Sequence, residues 1–167
     1  MPIKIAIVGT GNVARKSYLP YLSQQRDVVL SYYSRTRDKA DACAKDFGGR
    51  SVGSVAELLA DEPDSILVLT HETQRYDAIS TLLEHRPKRL FFEKPLVAQH
   101  GQAKVCEDDF FKARDLMQRA KTAGTETAMV FNYRFYEQTV RALQLVKDRQ
   151  FGKLTQASLC VNYACWS

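Results

Sequence analysis

The sequence contains no apolar run near the roughly 18 residues that a membrane-spanning helix requires, so no transmembrane role is expected. Cysteine is sparse. Cys43, Cys106, Cys160 and Cys165 form no CxxC pair and no metal-ligand spacing, which sets aside a disulfide scaffold or a zinc module. Cys160 and Cys165 are five apart and would face opposite sides of an extended strand, so free thiols are the expectation. His71, His85 and His100 give no ligand pattern either, and no metal is expected. Internal repeats and low-complexity linkers are missing. The opening Met1-Pro2-Ile3-Lys4 turns apolar only as far as Val8, too short for a secretory core, and a cytoplasmic protein is expected.

Charge of one sign is not dense. The net charge is +5, and its distribution says more than its size. Residues 1–50 carry nine Lys/Arg against four Asp/Glu, residues 51–100 five against eight, and residues 101–167 ten against seven. No basic stripe interleaved with aromatics stands out, so nucleic acid is not the expected partner. A small polyanion explains the basic first third equally well.

What is present is an alternation of strands and helices. Ile3–Val8 is β-branched, apolar and ends at glycine, as a buried strand does. A helix should follow from about Asn12 and be kinked or split by Pro20. Val28–Tyr33 reads as a second buried strand. Residues 38–47 read as a helix with Ala40, Cys43, Ala44 and Phe47 on one face, closed by Gly48-Gly49. Ser54 through Glu57 has the form of a capping box opening a short helix. A strand over 65–70, a helix over 74–84 presenting Ala78, Ile79, Leu82 and Leu83, and a strand at Arg89–Phe92 stopped by Pro95 continue the pattern. A loop over 96–107, a helix over 108–123 with Ala113, Leu116, Met117 and Ala120 on one face, and a strand over 127–131 follow. A helix over 135–149 and a strand over 154–163 complete the chain. The fold class is α/β, a doubly wound parallel Rossmann sheet over 1–131, with the first helix and strand of a second α/β domain over 132–167.

Gly9-Thr10-Gly11-Asn12-Val13-Ala14 has the form GxGxxA between the first strand and its helix. The first glycine permits a tight turn, the second lets backbone approach a pyrophosphate, and the alanine keeps helix and strand close. Phosphates then meet free N–H groups at a helix N-terminus. Gly9, Thr10, Gly11, Asn12 and Val13 are the candidate diphosphate-binding residues. NAD-binding domains place an acidic residue about 20 positions further on, against the ribose hydroxyls. Here that stretch is Ser34-Arg35-Thr36-Arg37, without a carboxylate. Hydroxyl and guanidinium groups suit an added phosphate, so NADP is the expected cofactor, NAD the alternative, with Ser34, Arg35 and Arg37 on the 2′-phosphate.

Phe91-Phe92-Glu93-Lys94-Pro95-Leu96 closes the strand at Arg89–Phe92 at its carboxyl end, where α/β sheets bind ligands. Lys94 there can reach the nicotinamide end of a dinucleotide. Burial and a neighbouring cationic ring would favour its neutral form and suit it to proton transfer. Spacing alone leaves a surface salt-bridging lysine as the simpler alternative.

The GTGNVA turn, the Glu93-Lys94-Pro95 triplet, Asn132-Tyr133-Arg134-Phe135 and Gln150-Phe151-Gly152-Lys153-Leu154 occur in an order that resembles the glucose–fructose oxidoreductase/inositol dehydrogenase-like (Gfo/Idh/MocA) family over essentially the whole chain. The resemblance implies a Rossmann domain followed by an α/β domain that covers the active site and often mediates oligomers. It also implies reversible hydride transfer between a nicotinamide and the hydroxyl carbon of a sugar, cyclitol or related polyol. Lys94 then matches the lysine that contacts the reacting hydroxyl, and Pro95 the proline that shapes the nicotinamide pocket, often through a cis bond. Glu93 and Thr70 fall at the same edge of that pocket, and Arg134 matches an arginine near the domain junction.

The chain departs from the family in three places. After Thr70 the usual proline is replaced by His71, and the histidine that follows a few residues later is replaced by Arg75. Residues 97–109 are more polar than the usual connection. Ser167 precedes the family's catalytic histidine, so a fragment is expected. Two other outcomes stay open: the apolar strand over 154–163 pairs with a second copy as a homo-oligomer, or it repacks on the first domain. A non-catalytic dinucleotide-binding module or sensor is the alternative function.

Overall fold

The computed structural model describes residues 1–148. They fall into two units, Met1–Val130 and a second that begins at Phe131.

The first unit is built on a six-stranded sheet in the order β3-β2-β1-β4-β5-β6. The strands are β1 (Ile3–Val8), β2 (Val28–Tyr33), β3 (Arg50–Ser51), β4 (Ser65–Val68), β5 (Arg89–Phe92) and β6 (Glu126–Met129). Every pairing is parallel, with Ile3 opposite Val28, Ile5 opposite Ser65, Leu67 opposite Phe91 and Phe92 opposite Met129. Parallel strands need crossovers, here α1 (Leu19–Leu22), α2 (Arg37–Phe47), α3 (Val55–Ala60), α4 (Glu72–Glu84) and α5 (Glu107–Ala123).

The two-residue period of the strands sorts side chains onto two cores. Ala6, Val8, Ile66, Val68, Leu90 and Phe92 face one side and pack with Leu58, Ile79, Leu82, Leu116 and Ala120. Ile7, Leu30, Tyr32, Leu67 and Leu69 face the other and pack with Ala14, Leu19, Ala40 and Cys43. Apolar side chains on both faces explain why β1 and β4 read as continuous hydrophobic runs.

Pro20 splits the first helix in an unexpected way. The turn Ala14–Tyr18 is π-type, with Leu19 N–H reaching Ala14 O, and the α-helix resumes at Leu19. A proline cannot donate to the preceding turn and its ring crowds that turn's carbonyl, so a wider ring of atoms accommodates it. The short edge strand β3 was not expected from the sequence, because two residues after Gly48-Gly49 carry no periodic signal. The capping box at Ser54 has a shifted return bond. Ser54 Oγ accepts from Glu57 N–H at 3.0 Å, while Glu57 Oε2 accepts from Gly53 N–H at 2.7 Å instead of from Ser54. The polar connection after β5 contains a 3₁₀ turn, Gln102–Lys104.

In the second unit, the described residues form a 3₁₀ turn, Asn132–Phe135, and α6 (Glu137–Lys147). The strand expected over 154–163, with Cys160 and Cys165, lies outside the described residues. Among the described residues no helix is long and apolar enough to cross a membrane.

Candidate functional site

In a sheet of this order the chain reverses direction between β1 and β4, and a crevice opens at their carboxyl ends. A cleft of about 520 Å³ occupies that place. Its floor is Val8, Gly9, Thr10 and Gly11; one wall is Tyr33, Ser34, Arg35, Thr36 and Lys39; the opposite wall includes Leu69, Thr70, His71 and Gln74.

The two glycines of the turn have opposite surroundings, one crowded by backbone and one open. Gly9 has φ +98°, and a Cβ there would come within 2.6 Å of Thr70 N. Gly11 has no heavy atom within 4 Å of such a position. Its openness gives no packing reason for glycine and a clear one for close approach of a bound group. The helical bonding starts with Arg15 N–H to Gly11 O at 3.1 Å, so the amides of Gly11, Asn12 and Val13 have no helical acceptor. Thr10 Oγ1 and Thr70 Oγ1 are buried without a hydrogen-bond partner. Buried hydroxyls in that state are uncommon, and both residues border the cleft. Free amides, an open Cα and two unpaired hydroxyls fit a dinucleotide diphosphate.

The structure brings Gly9, Thr10, Gly11, Ser34, Arg35 and Thr70 together around one cleft. Asn12 and Val13 stand exposed beside it, on the first turn of the helix. Arg37 does not line it. Its Nε donates to Asp41 Oδ1 at 3.0 Å and its NH2 reaches Ser51 Oγ at 3.3 Å, so the guanidinium braces α2 against β3. The second cation on the cleft, beside Arg35, is instead Lys39, in the first turn of α2.

Glu93, Lys94 and Pro95 form a bend after β5 that is not part of the cleft lining. The Lys94–Pro95 peptide is cis. The burial expected for Lys94 is not met: its side chain is exposed, with no hydrogen-bond or ion-pair partner among the described residues. The bend is held from three directions. Lys94 N–H donates to Glu93 Oε2 at 3.0 Å. Tyr18 OH, from the π turn, donates to Glu93 Oε1 at 2.5 Å. Burial and the neighbouring Glu93 push the Tyr18 hydroxyl well above the ordinary phenol range, so it stays a donor.

The third hold is Arg75, which the sequence showed only as a departure from the family. Arg75 is 3% exposed. Its NH2 donates to Thr70 O at 2.6 Å, its NH1 to Glu93 O at 2.7 Å, and NH1 also to Pro95 O. Burial pulls the guanidinium pKa down, and the carboxylates of Glu93 and Glu72 oppose that pull. Arg134 lies in the second unit, its guanidinium 5.5 Å from the Phe135 ring.

Comparison with known proteins agrees with this arrangement. The family described as "Oxidoreductase family, NAD-binding Rossmann fold" (Gfo/Idh/MocA) matches residues 3–125. Glucose-6-phosphate 3-dehydrogenase of Bacillus subtilis (strain 168) is 23% identical over 151 residues, covering 90% of this chain and 40% of that protein. D-glucoside 3-dehydrogenase of Escherichia coli (strain K12) is 27% identical over 161 residues, covering 92% of this chain and 41% of that protein. A 3-ketoreductase from Actinomadura kijaniata, solved with NADP and TDP-benzene, has a TM-score of 0.70 at 22% identity, over 89% of this chain and 43% of that one. The chain therefore spans about two fifths of the length of these relatives. With the family's profile matched across most of the chain and the cleft at the switch point of its sheet, this chain belongs to the Gfo/Idh/MocA oxidoreductases and carries their NAD-binding Rossmann domain.

Proposed function

We propose that the chain is the cofactor-binding part of an NADP(H)-preferring oxidoreductase that interconverts a hydroxyl and a keto carbon on a sugar or related polyol. The observation that carries the reading is the cleft wall at the end of β2. Ser34, Arg35 and Lys39 offer one hydroxyl and two cations there, and no carboxylate stands in the Ser34–Thr36 turn to meet ribose hydroxyls. An extra phosphate on the ribose would find donors; a bare 2′-hydroxyl would find no acceptor of charge. The sugar substrate class is supported by the named activities of the two curated relatives.

In this reading Gly9 through Val13 bind the diphosphate through backbone amides, with Thr10 and Thr70 supplying hydroxyls. The nicotinamide, when bound, supplies or accepts the hydride. Glu93, Lys94 and Pro95 lie at the ends of the strands beyond β1, on the side where the second half of the dinucleotide lies. Lys94 gives or takes the proton at the reacting oxygen, and its exposed, unpartnered ammonium leaves it free to do so. Residues from 132 onward begin the family's substrate and oligomerisation domain.

Cofactor titration tests the preference. NADPH is expected to bind at least tenfold more tightly than NADH, as read by fluorescence of the reduced nicotinamide. Arg35→Ala with Lys39→Ala should bring the two affinities together by weakening NADPH alone. Equal or tighter binding of NADH by the parent chain would overturn the NADP assignment.

A further inference from the structure

Thr70 and the Glu93–Pro95 bend belong to different crossover loops, one after β4 and one after β5. Leu69 N–H still reaches Val8 O at 2.8 Å, but between the two loops the last ladder-like bond, Glu93 N–H to Val68 O, is already 3.5 Å long. The two loops are joined through one side chain. Arg75 sends one nitrogen to Thr70 O and the other to Glu93 O and Pro95 O. A guanidinium presents its donors in a fixed planar fork, so three carbonyls meeting it are held at set distances from each other. Burying a cation is costly unless it is compensated. Here backbone carbonyls and nearby Glu93 and Glu72 provide the compensation. Tyr18, from the helix that follows the glycine turn, closes the frame on Glu93.

We propose that Arg75 is a positioning residue for the nicotinamide half of the cleft. By tying the carbonyls of Thr70, Glu93 and Pro95 into one rigid edge, it sets where Lys94 stands relative to a bound dinucleotide. The inference rests on the dinucleotide reading of the cleft. Arg75 itself is not among the cleft-lining residues. Its effect passes through the bend, and it is felt at one end of the ligand only. The adenosine end, at Ser34, Arg35 and Lys39, lies where β2 passes into α2 and, among the described residues, has no hydrogen bond to this frame.

That asymmetry provides the test. Two ligands are titrated against the parent chain, Arg75→Lys and Tyr18→Phe: NADPH, and 2′,5′-ADP, which keeps the adenosine and 2′-phosphate and lacks the nicotinamide. A lysine keeps the charge but cannot span three carbonyls with one ammonium. Tyr18→Phe removes a single hydroxyl and keeps the ring against Phe91. The expected result is unchanged 2′,5′-ADP affinity in all three proteins. NADPH affinity should fall about tenfold in Arg75→Lys and about threefold in Tyr18→Phe, with a reduced enhancement of bound nicotinamide fluorescence. Affinity and emission for NADPH within twofold of the parent in both variants would overturn the proposal. So would parallel loss of both ligands in Arg75→Lys while Tyr18→Phe binds like the parent, since Arg75 would then only hold the fold together. A parent chain that binds neither ligand would instead refute the dinucleotide reading itself.

Discussion

At the residue scale, the two glycines of the turn do opposite work. Gly9 is fixed by geometry inside the fold: positive φ, and backbone of Leu69 and Thr70 within 3 Å of any Cβ. Gly11 is fixed by nothing inside the fold. Gly9→Ala is therefore expected to lower the melting temperature sharply, the strained φ and the backbone clash together costing on the order of 2–4 kcal/mol. Gly11→Ala should melt like the parent and lose at least tenfold in dinucleotide affinity, because its methyl fills the space a phosphate needs. Thermal unfolding and NADPH titration of the two variants separate these effects, and an intact NADPH affinity in Gly11→Ala would count against the diphosphate site. The sequence singled out both glycines from spacing and context, and both line the cleft. It could not tell Arg35 from Arg37, because that distinction depends on where Asp41 and Ser51 stand in space. It missed Arg75 as a brace, since its three acceptors are main-chain carbonyls and leave no trace in side-chain pattern.

At the scale of elements, the helices were legible wherever a cap or an apolar face announced them. Five of the six strands were expected from the sequence; the exception is β3, whose two residues pair with Ser31 and Tyr32 only because Gly48 and Gly49 turn the chain back. Boundaries moved by one or two residues where a side chain sets the start, by one at α5, which opens at Glu107. There Asp109, 2% exposed, accepts from Gln99 N–H at 2.9 Å and from Cys106 N–H at 3.1 Å. These bonds draw its carboxyl pKa below the ordinary aspartate value. A carboxylate whose folded value is lowered stabilises the protein above its unfolded value near pH 4 and loses that contribution as pH falls through the folded value. Asp109→Asn should thus cost about 1–3 kcal/mol at neutral pH. Its deficit relative to the parent should shrink as pH falls below the ordinary aspartate value. Urea unfolding at several pH values measures this, and a deficit independent of pH would contradict the assigned bonds.

For the whole molecule, the order of strands determined the site before any side chain did. Sequence alternation was enough to predict a doubly wound parallel sheet, and the glycine turn was enough to name a dinucleotide as the expected ligand; the strand order of the structure then puts the crevice between β1 and β4. The sheet, its two cores and the family were readable for that reason. The chemistry beyond the cofactor was not, because the chain matches only about two fifths of the length of its relatives. Cofactor binding should be visible as global stabilisation. A ligand at one hundred times its dissociation constant adds about 2.7 kcal/mol to the folded state. For a domain of this size that corresponds to a rise of roughly 5–10 °C in melting temperature. NADPH should produce a larger rise than NADH at equal concentration, and equal shifts would argue against the NADP preference.

The two cations of the cleft wall, Arg35 just before α2 and Lys39 in its first turn, both stand exposed. Attractions between exposed charges fade within a Debye length of roughly 8 Å at physiological ionic strength and faster in stronger salt. The amides of the glycine turn are fixed dipoles at the sheet edge and weaken far less. Added salt would then erode the advantage of the phosphorylated cofactor before it erodes affinity for dinucleotides as a class. The choice of reductant would follow the ionic composition around the protein while the capacity to bind one persists.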